Sequence, residues 1–140
     1  MVDIKVKPRP IGATATVGRH GHPQVTSATG GGLGIVTGAS EPGFNPLDLM
    51  FSSLAACLVL SARIAASCLQ LLDRLVEVRV HVTGEKAEVE PTRIEQFTID
   101  FAIDGSFGAD EKMQIIHLAE EICTVSNTLK GSPSFEVRTS

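Results

Sequence analysis

The spacing of hydrophobic and polar positions changes along the chain, and each change marks an element. Residues 76–84, VEVRVHVTG, alternate strictly. Val76, Val78, Val80 and Val82 face one way and Glu77, Arg79, His81 and Thr83 the other, the two-residue repeat of a half-buried strand. After a charged turn, EKAEVEPT, the run RIEQFTIDFAID repeats the pattern with Phe97, Ile99, Phe101 and Ile103 on its inner face, which predicts an antiparallel pair. The period then lengthens. GADEKMQIIHLAEEIC reads as an amphipathic helix burying Met113, Ile116, Ala119 and Ile122, and SPSFEVRTS reads as a short closing strand.

Between these patterns and the N-terminus lies a stretch with no polar face. From Leu49 to Leu72 the sole charged residue is Arg63. Asn45-Pro46-Leu47-Asp48 is a helix start, with Asn45 as N-cap, Pro46 at the first helical position and Asp48 where an acid complements the positive helix end. The helix is expected to run to about Leu71. An arginine at mid-span would cost ~2.5–3.5 kcal/mol in a bilayer, and four serines dilute the stretch, so a buried helix of a soluble protein is expected, not a membrane span. A helix apolar on every side must be covered on every side, and a 140-residue domain has little material to do so. That predicts a homodimer in which two such helices pack through small residues.

The first forty residues show no helical period. ATATVGRHGHPQVTS reads as two short strands around a His-Gly-His-Pro turn, and GGGLG as a flexible connection. No GK[ST] follows the glycines, so a phosphate loop is not expected. With no internal repeat and no interdomain linker, the chain is expected to be a single α+β domain over residues 1–140, its antiparallel sheets packed around long central helices.

Composition narrows the function classes. Hydrophobic residues at 43% and charged residues at 20% describe a soluble globular protein. The net charge of −4 gives no basic footprint for nucleic acid. The start, MVDIKVKPRP, lacks a secretory pattern, so a cytoplasmic location is expected. Three cysteines without CxxC spacing fit a reducing compartment in which thiols are fillers or catalysts.

Cys57 lies about three turns into the long helix, beyond the first-turn reach of its dipole, and would need a cation to react as thiolate. Arg63, six residues on, is about 240° around the helix and points away, so the cation must come from elsewhere in the fold. Cys68 is nearly on the same face as Cys57 but ~16 Å along the axis, too far for a disulfide, and is expected to be core. Cys123 falls where a helix ends, a place that disfavours thiolate, with Glu120 one turn before it. His20 and His22 form an HxH pair, yet two ligands do not make a metal site, and neither His81 nor His117 supplies an identifiable third, so no metal is expected.

NPLDLMFSSLAACL followed much later by AEEICTVSNTL resembles the OsmC/Ohr family of thiol peroxidases, in which an N/S-P-x-x-L opening leads into the helix of the first cysteine and a C-P-x-S-N segment carries the second. The similarity runs from the TATVGRHG hairpin to the C-terminal strand. It implies an intertwined α+β homodimer and a peroxidase, with no cofactor, that reduces organic hydroperoxides: Cys57 attacks, Cys123 resolves the sulfenic acid into a disulfide, Arg19 in VGRHG stabilises the thiolate, and an external dithiol regenerates the pair. Met50, Phe51 and Leu54 are expected to line an apolar substrate pocket, with Asp48 and Glu120 in support. Two positions depart from the family pattern. Leu47 stands where a glutamate is usual, the acid coming one place later as Asp48, and Thr124 replaces the proline after the second cysteine. These departures carry an alternative reading, a non-enzymatic protein of the same fold that binds a small apolar molecule at the dimer interface. A purely structural or partner-binding dimer is a third, for which Cys57→Ser and Cys123→Ser would change stability only.

Overall fold

The computed structural model describes residues 8–139. The chain divides into two compact units whose boundary falls between Met50 and Phe51. The first holds an antiparallel meander of β1 (Ala13–Thr16), β2 (Gln24–Ser27) and β3 (Gly32–Gly34). β1 and β2 are the two expected strands, paired Thr14 to Thr26 and Ala15 to Val25, and the VGRHGHP segment connects them. The glycine run corrects an expectation. GLG is not a loose connection but β3, paired Val25 to Leu33, because the free edge of β2 offers backbone partners that need no side chain.

At the end of this unit Asn45 and Asp48 cap helix α1 (Pro46–Cys68) reciprocally. The Asp48 amide donates to Asn45 Oδ1 at 2.8 Å and the Asn45 amide to Asp48 Oδ2 at 3.0 Å, a capping box built from an amide and an acid. The helix stops short of Leu71. Gln70 takes φ 61°, and the Leu71 and Gln70 amides turn back to the carbonyls of Ala66 (2.7 Å) and Ser67 (3.0 Å), a Schellman closure that satisfies these two carbonyls of the last turn.

In the second unit, β4 (Leu75–Lys86) and β5 (Ile94–Gly105) form the expected antiparallel ribbon, with Val82 opposite Ile99 and Val80 opposite Phe101. Val78, Val80 and Val82 are covered as predicted, whereas Val76 is 74% exposed. A register shift between Leu75 and Glu77 explains the difference, since one extra residue in a strand reverses the facing of what precedes it. Helix α2 (Ala109–Ile122) follows, and its buried side is also displaced from the prediction: Ile115 and Ala119 are the enclosed residues, Ile116 is half-buried and Met113 is 47% exposed. Helix α3 (Thr124–Lys130) ends at Gly131, whose amide donates to the Asn127 and Thr128 carbonyls. SPSFEVRTS forms no strand among the described residues, where Phe135 and Val137 are 89% and 90% exposed. Alternation alone cannot make a strand without a neighbour to take its hydrogen bonds.

The core lies along one side of α1. Leu54, Leu58, Ser61, Ala62, Ala65 and Ala66, at three- and four-residue spacing, are buried. One cluster joins Ala62, Ala65 and Ala66 to Ile103, Ile115 and Ala119; a second joins Leu54 and Leu58 to Val82 and Cys123. The opposite side, with Ala56, Leu60, Arg63, Ile64 and Ser67, is exposed. Among the described residues of the second unit, coverage is confined to one side of this helix. Cys68, expected in the core, is exposed, because it falls on the rim of the covered stripe in the last turn.

Candidate active site

Cys57 sits three residues after Leu54 and four before Ser61, at the border between the covered and open sides of α1. It is partly buried. Cys123 is fully buried and lies between two helices, where the end of α2 meets the start of α3. The two thiols belong to one packed cluster, although sixty-six residues separate them in the chain. Around them stand Leu54, Leu58, Val80, Val82, Phe97, Ile99 and Val125.

Helix packing fixes this meeting. The inner face of the ribbon places Val82 against α1, and the turn from α2 into α3 carries Cys123 to the same patch. The turn is held by Asn127, whose side-chain amide donates to the Glu121 carbonyl at 3.0 Å, and by the cysteine itself. Cys123 is the N-cap of α3, its sulfur accepting from the Ser126 amide at 3.3 Å. The sequence alone places this cysteine at a helix end. Serving also as the start of the next helix gives its sulfur a donor, and the Ser-Asn pair that follows was the available signal.

Burial pushes the Cys123 thiol above its ordinary range, and the adjacent Cys57 thiol acts in the same direction through hydrogen bonding and charge. The Ser126 and Val125 amides pull the other way and do not compensate. Cys123 is thus held as a neutral thiol, suited to condensing with an activated sulfur and poorly suited to attacking first.

Phe51 and Leu54 belong to the wall of the thiol cluster, Phe51 packing edge-on against Phe97 with ring centroids 5.9 Å apart. Gly84 makes room for this ring: a Cβ there would come within 3.0 Å of Phe51 Cε1 and 2.8 Å of Ile94 Cγ2. Met50 is half-buried in α1. Asp48 is engaged in the helix cap. Glu120 is half-buried in the last turn of α2, and Arg19 is exposed in the β1–β2 connection. A groove of about 350 Å³ elsewhere on the second unit is lined by Glu77, Arg79, Asp104 and Lys112 over Phe101 and Ile116, and includes neither Phe51 nor Leu54. Among the described residues no group of three or more His, Cys, Asp or Glu side chains could hold a metal ion.

The profile of OsmC-like proteins matches residues 38–138, which include both cysteines of the pair and every element from α1 onward. The chain belongs to the OsmC-like family. No curated protein matches its sequence. Solved structures agree on the fold. An OsmC-like protein from Mycoplasma pneumoniae superposes with a TM-score of 0.75 at 19% identity, covering 89% of this chain and 90% of that one. An organic hydroperoxide resistance protein from Elizabethkingia anophelis gives 0.74 at 22% identity over 89% and 91%, and another from Bacillus subtilis gives 0.69 at 20% identity over 88% and 92%. The OsmC-like α+β fold is thereby shared with proteins of low sequence identity.

Proposed function

We propose that this OsmC-like protein is a thiol peroxidase that reduces organic hydroperoxides through Cys57 and Cys123. The observation that carries the reading is the placement of the two cysteines, one partly buried and one fully buried, in a single otherwise apolar cluster. The Cys57 thiolate displaces alkoxide from the hydroperoxide, which leaves as the alcohol, and Cys57 becomes a sulfenic acid. The Cys123 thiol condenses with it, a disulfide forms and water departs. An external dithiol then restores both thiols and becomes a disulfide itself. Arg19 is the cation proposed for the Cys57 thiolate, and Glu120 a supporting acid. Asp48 acts in this scheme by capping the helix that carries Cys57.

Two solved relatives named for organic hydroperoxide resistance support this chemistry, as do the apolar side chains of Phe51, Leu54 and Phe97, which favour an organic substituent over a bare peroxide. The reading includes a cytoplasmic homodimer, for which the open side of α1 supplies the packing surface. Peptide mass spectrometry after one equivalent of cumene hydroperoxide tests the mechanism. Loss of two thiols with a Cys57–Cys123 crosslink is expected, at a rate well above that with hydrogen peroxide. Equal slow rates with the two oxidants would remove the substrate assignment, and three persisting free thiols would move the function to binding of an apolar molecule.

A further inference from the structure

Closing a disulfide is the step of a two-cysteine cycle most sensitive to where the second sulfur is held. We infer that Asn127 is the positioning residue for that step, tying α3 back to the end of α2 across Cys123 and so keeping the Cys123 sulfur in the orientation from which it condenses with Cys57; this rests on the two-cysteine reading above.

Cys123 is the residue between α2 and α3, with φ −75° and ψ 107°, so the helical path breaks at the residue that carries the thiol. A rotation there swings α3 and re-aims the sulfur together. With seven residues α3 is well below the about 12–15 at which a helix persists alone, so its direction has to be set by ties to its surroundings. Asn127 supplies two. Its backbone amide donates to the Cys123 carbonyl at 3.0 Å within α3, and its side-chain amide donates at 3.0 Å to the Glu121 carbonyl in the last turn of α2, where no following helical amides are on offer. A carbonyl can only accept, so it is the NH2 end of the side chain that faces it. This bond spans Cys123, from two residues before it to four after it, and sets the angle between the helices.

The other ties of α3 do not set this angle. Thr128 Oγ1 donates to the Thr124 carbonyl at 2.7 Å and stays within the helix, the Ser126 amide moves with the sulfur it caps, and Val125 packs in the thiol cluster through apolar contacts that have no direction. Orientation matters to one chemical step. Attack on the hydroperoxide is made by the Cys57 sulfur, and Cys123 takes no part. In closure the Cys123 sulfur bonds to the Cys57 sulfenic sulfur, the S–OH bond breaks, and water leaves with the hydroxyl and the Cys123 proton. A disulfide needs the two Cβ atoms ~3.5–4.5 Å apart, so a small swing at the junction removes the sulfur from its target. Asn127 is itself exposed, so replacing it opens no cavity.

The test uses the full chain carrying Cys68→Ser, which removes the exposed third thiol. Asn127→Asp, equal in size but without a hydrogen to donate when ionised, and Asn127→Ala are compared with Thr128→Val, which removes a side-chain hydrogen bond from the same helix without touching the junction. Each protein receives one equivalent of cumene hydroperoxide in the presence of dimedone, a carbon nucleophile that bonds to the Cys57 sulfenic sulfur as water leaves. Peptide mass spectrometry counts dimedone adducts against Cys57–Cys123 disulfides. That ratio is expected to rise about threefold to tenfold in both Asn127 variants and to stay near the parent's in Thr128→Val. A ratio equal to the parent's, or the same rise in Thr128→Val, would overturn the inference. A second arm dispenses with peroxide. The same proteins are equilibrated in glutathione buffers, where glutathione disulfide takes up the two electrons and two protons, and the effective concentration of the thiol pair is read from the fraction oxidised. At equilibrium the path by which the thiols are reached does not enter. A fall of about threefold to tenfold is expected in the Asn127 variants, and equal values throughout, or a parent pair that does not close, count against the inference. A pair that closes in glutathione but gives neither product with cumene hydroperoxide would defeat the peroxidase reading alone, and the second arm then decides the role of Asn127.

Discussion

At the scale of single residues, the thiol cluster depends on what is absent at position 84. Gly84 faces Phe51, Ile94 and the Gln96 carbonyl at distances that leave no space for a methyl group. Gly84→Ala would narrow the unfolded ensemble, which favours folding by ~0.4–1 kcal/mol, but forcing the added carbon into packed surroundings costs ~1–3 kcal/mol. The variant is expected to lose about 1 kcal/mol or more, read as a lower urea midpoint with an unchanged slope. Ile94 is the side chain that must give way first, and the Phe51 ring, the next nearest at 3.0 Å, would carry any further shift to the wall of the Cys57 cluster. A single residue was hard to read in the sequence for the same reason that it matters. Glycine within VEVRVHVTG continues the strand without showing that a ring packs over it. The two cysteines were legible by position, Cys57 by its apolar helix and Cys123 by its helix end. Their environments were not, since Val80, Val82 and the α1 leucines reach Cys123 only through contacts across the fold, although the Ser126 donor lies just three residues on.

At the scale of elements, the junction between β5 and α2 is held by an ion pair. Arg74 joins Glu111 and donates to the Ser106 carbonyl at 3.0 Å, with its guanidinium 5.5 Å from the Phe107 ring centroid. Glu111 in turn accepts from the Gly108 amide at the start of α2. The Arg74 hydrogen bond, helped by the Gly108 amide, holds the Glu111 carboxyl below its ordinary 4.5. A lowered carboxylate contributes stability that is present above its unfolded value and is lost as pH falls through the folded one. Glu111→Gln should therefore unfold less steeply than the parent as pH falls below 4.5, and a series of acid melts would show it as converging transition temperatures. Elements of this kind were readable wherever one period ran unbroken. The sequence misplaced Val76 and Met113 where a bulge or a change of covering partner shifted the phase, and it counted a terminal strand that has no neighbour.

At the scale of the whole molecule, the open side of α1 is the largest question of packing. Leu60 and Ile64 are 50% and 39% exposed on a helix whose other side is closed, and small residues flank them. In the proposed homodimer this side meets its counterpart, so sedimentation at micromolar concentration should give twice the 14.8 kDa chain mass. A monomer there would contradict it. Leu60→Glu should shift the population toward monomer, because each partner would then bring an unpaired charge into the contact. The ribbon of β4 and β5 carries a related consequence. Among the described residues these strands pair only with each other, so along each strand alternate amides point toward the partner and the remainder point outward. In deuterated solvent an uncovered ribbon would exchange in a two-residue rhythm, slow and fast in turn from Val78 to Thr83. A ribbon whose margins are covered would exchange slowly at every position, and the clock kept by its amides would then report which margin another strand has occupied.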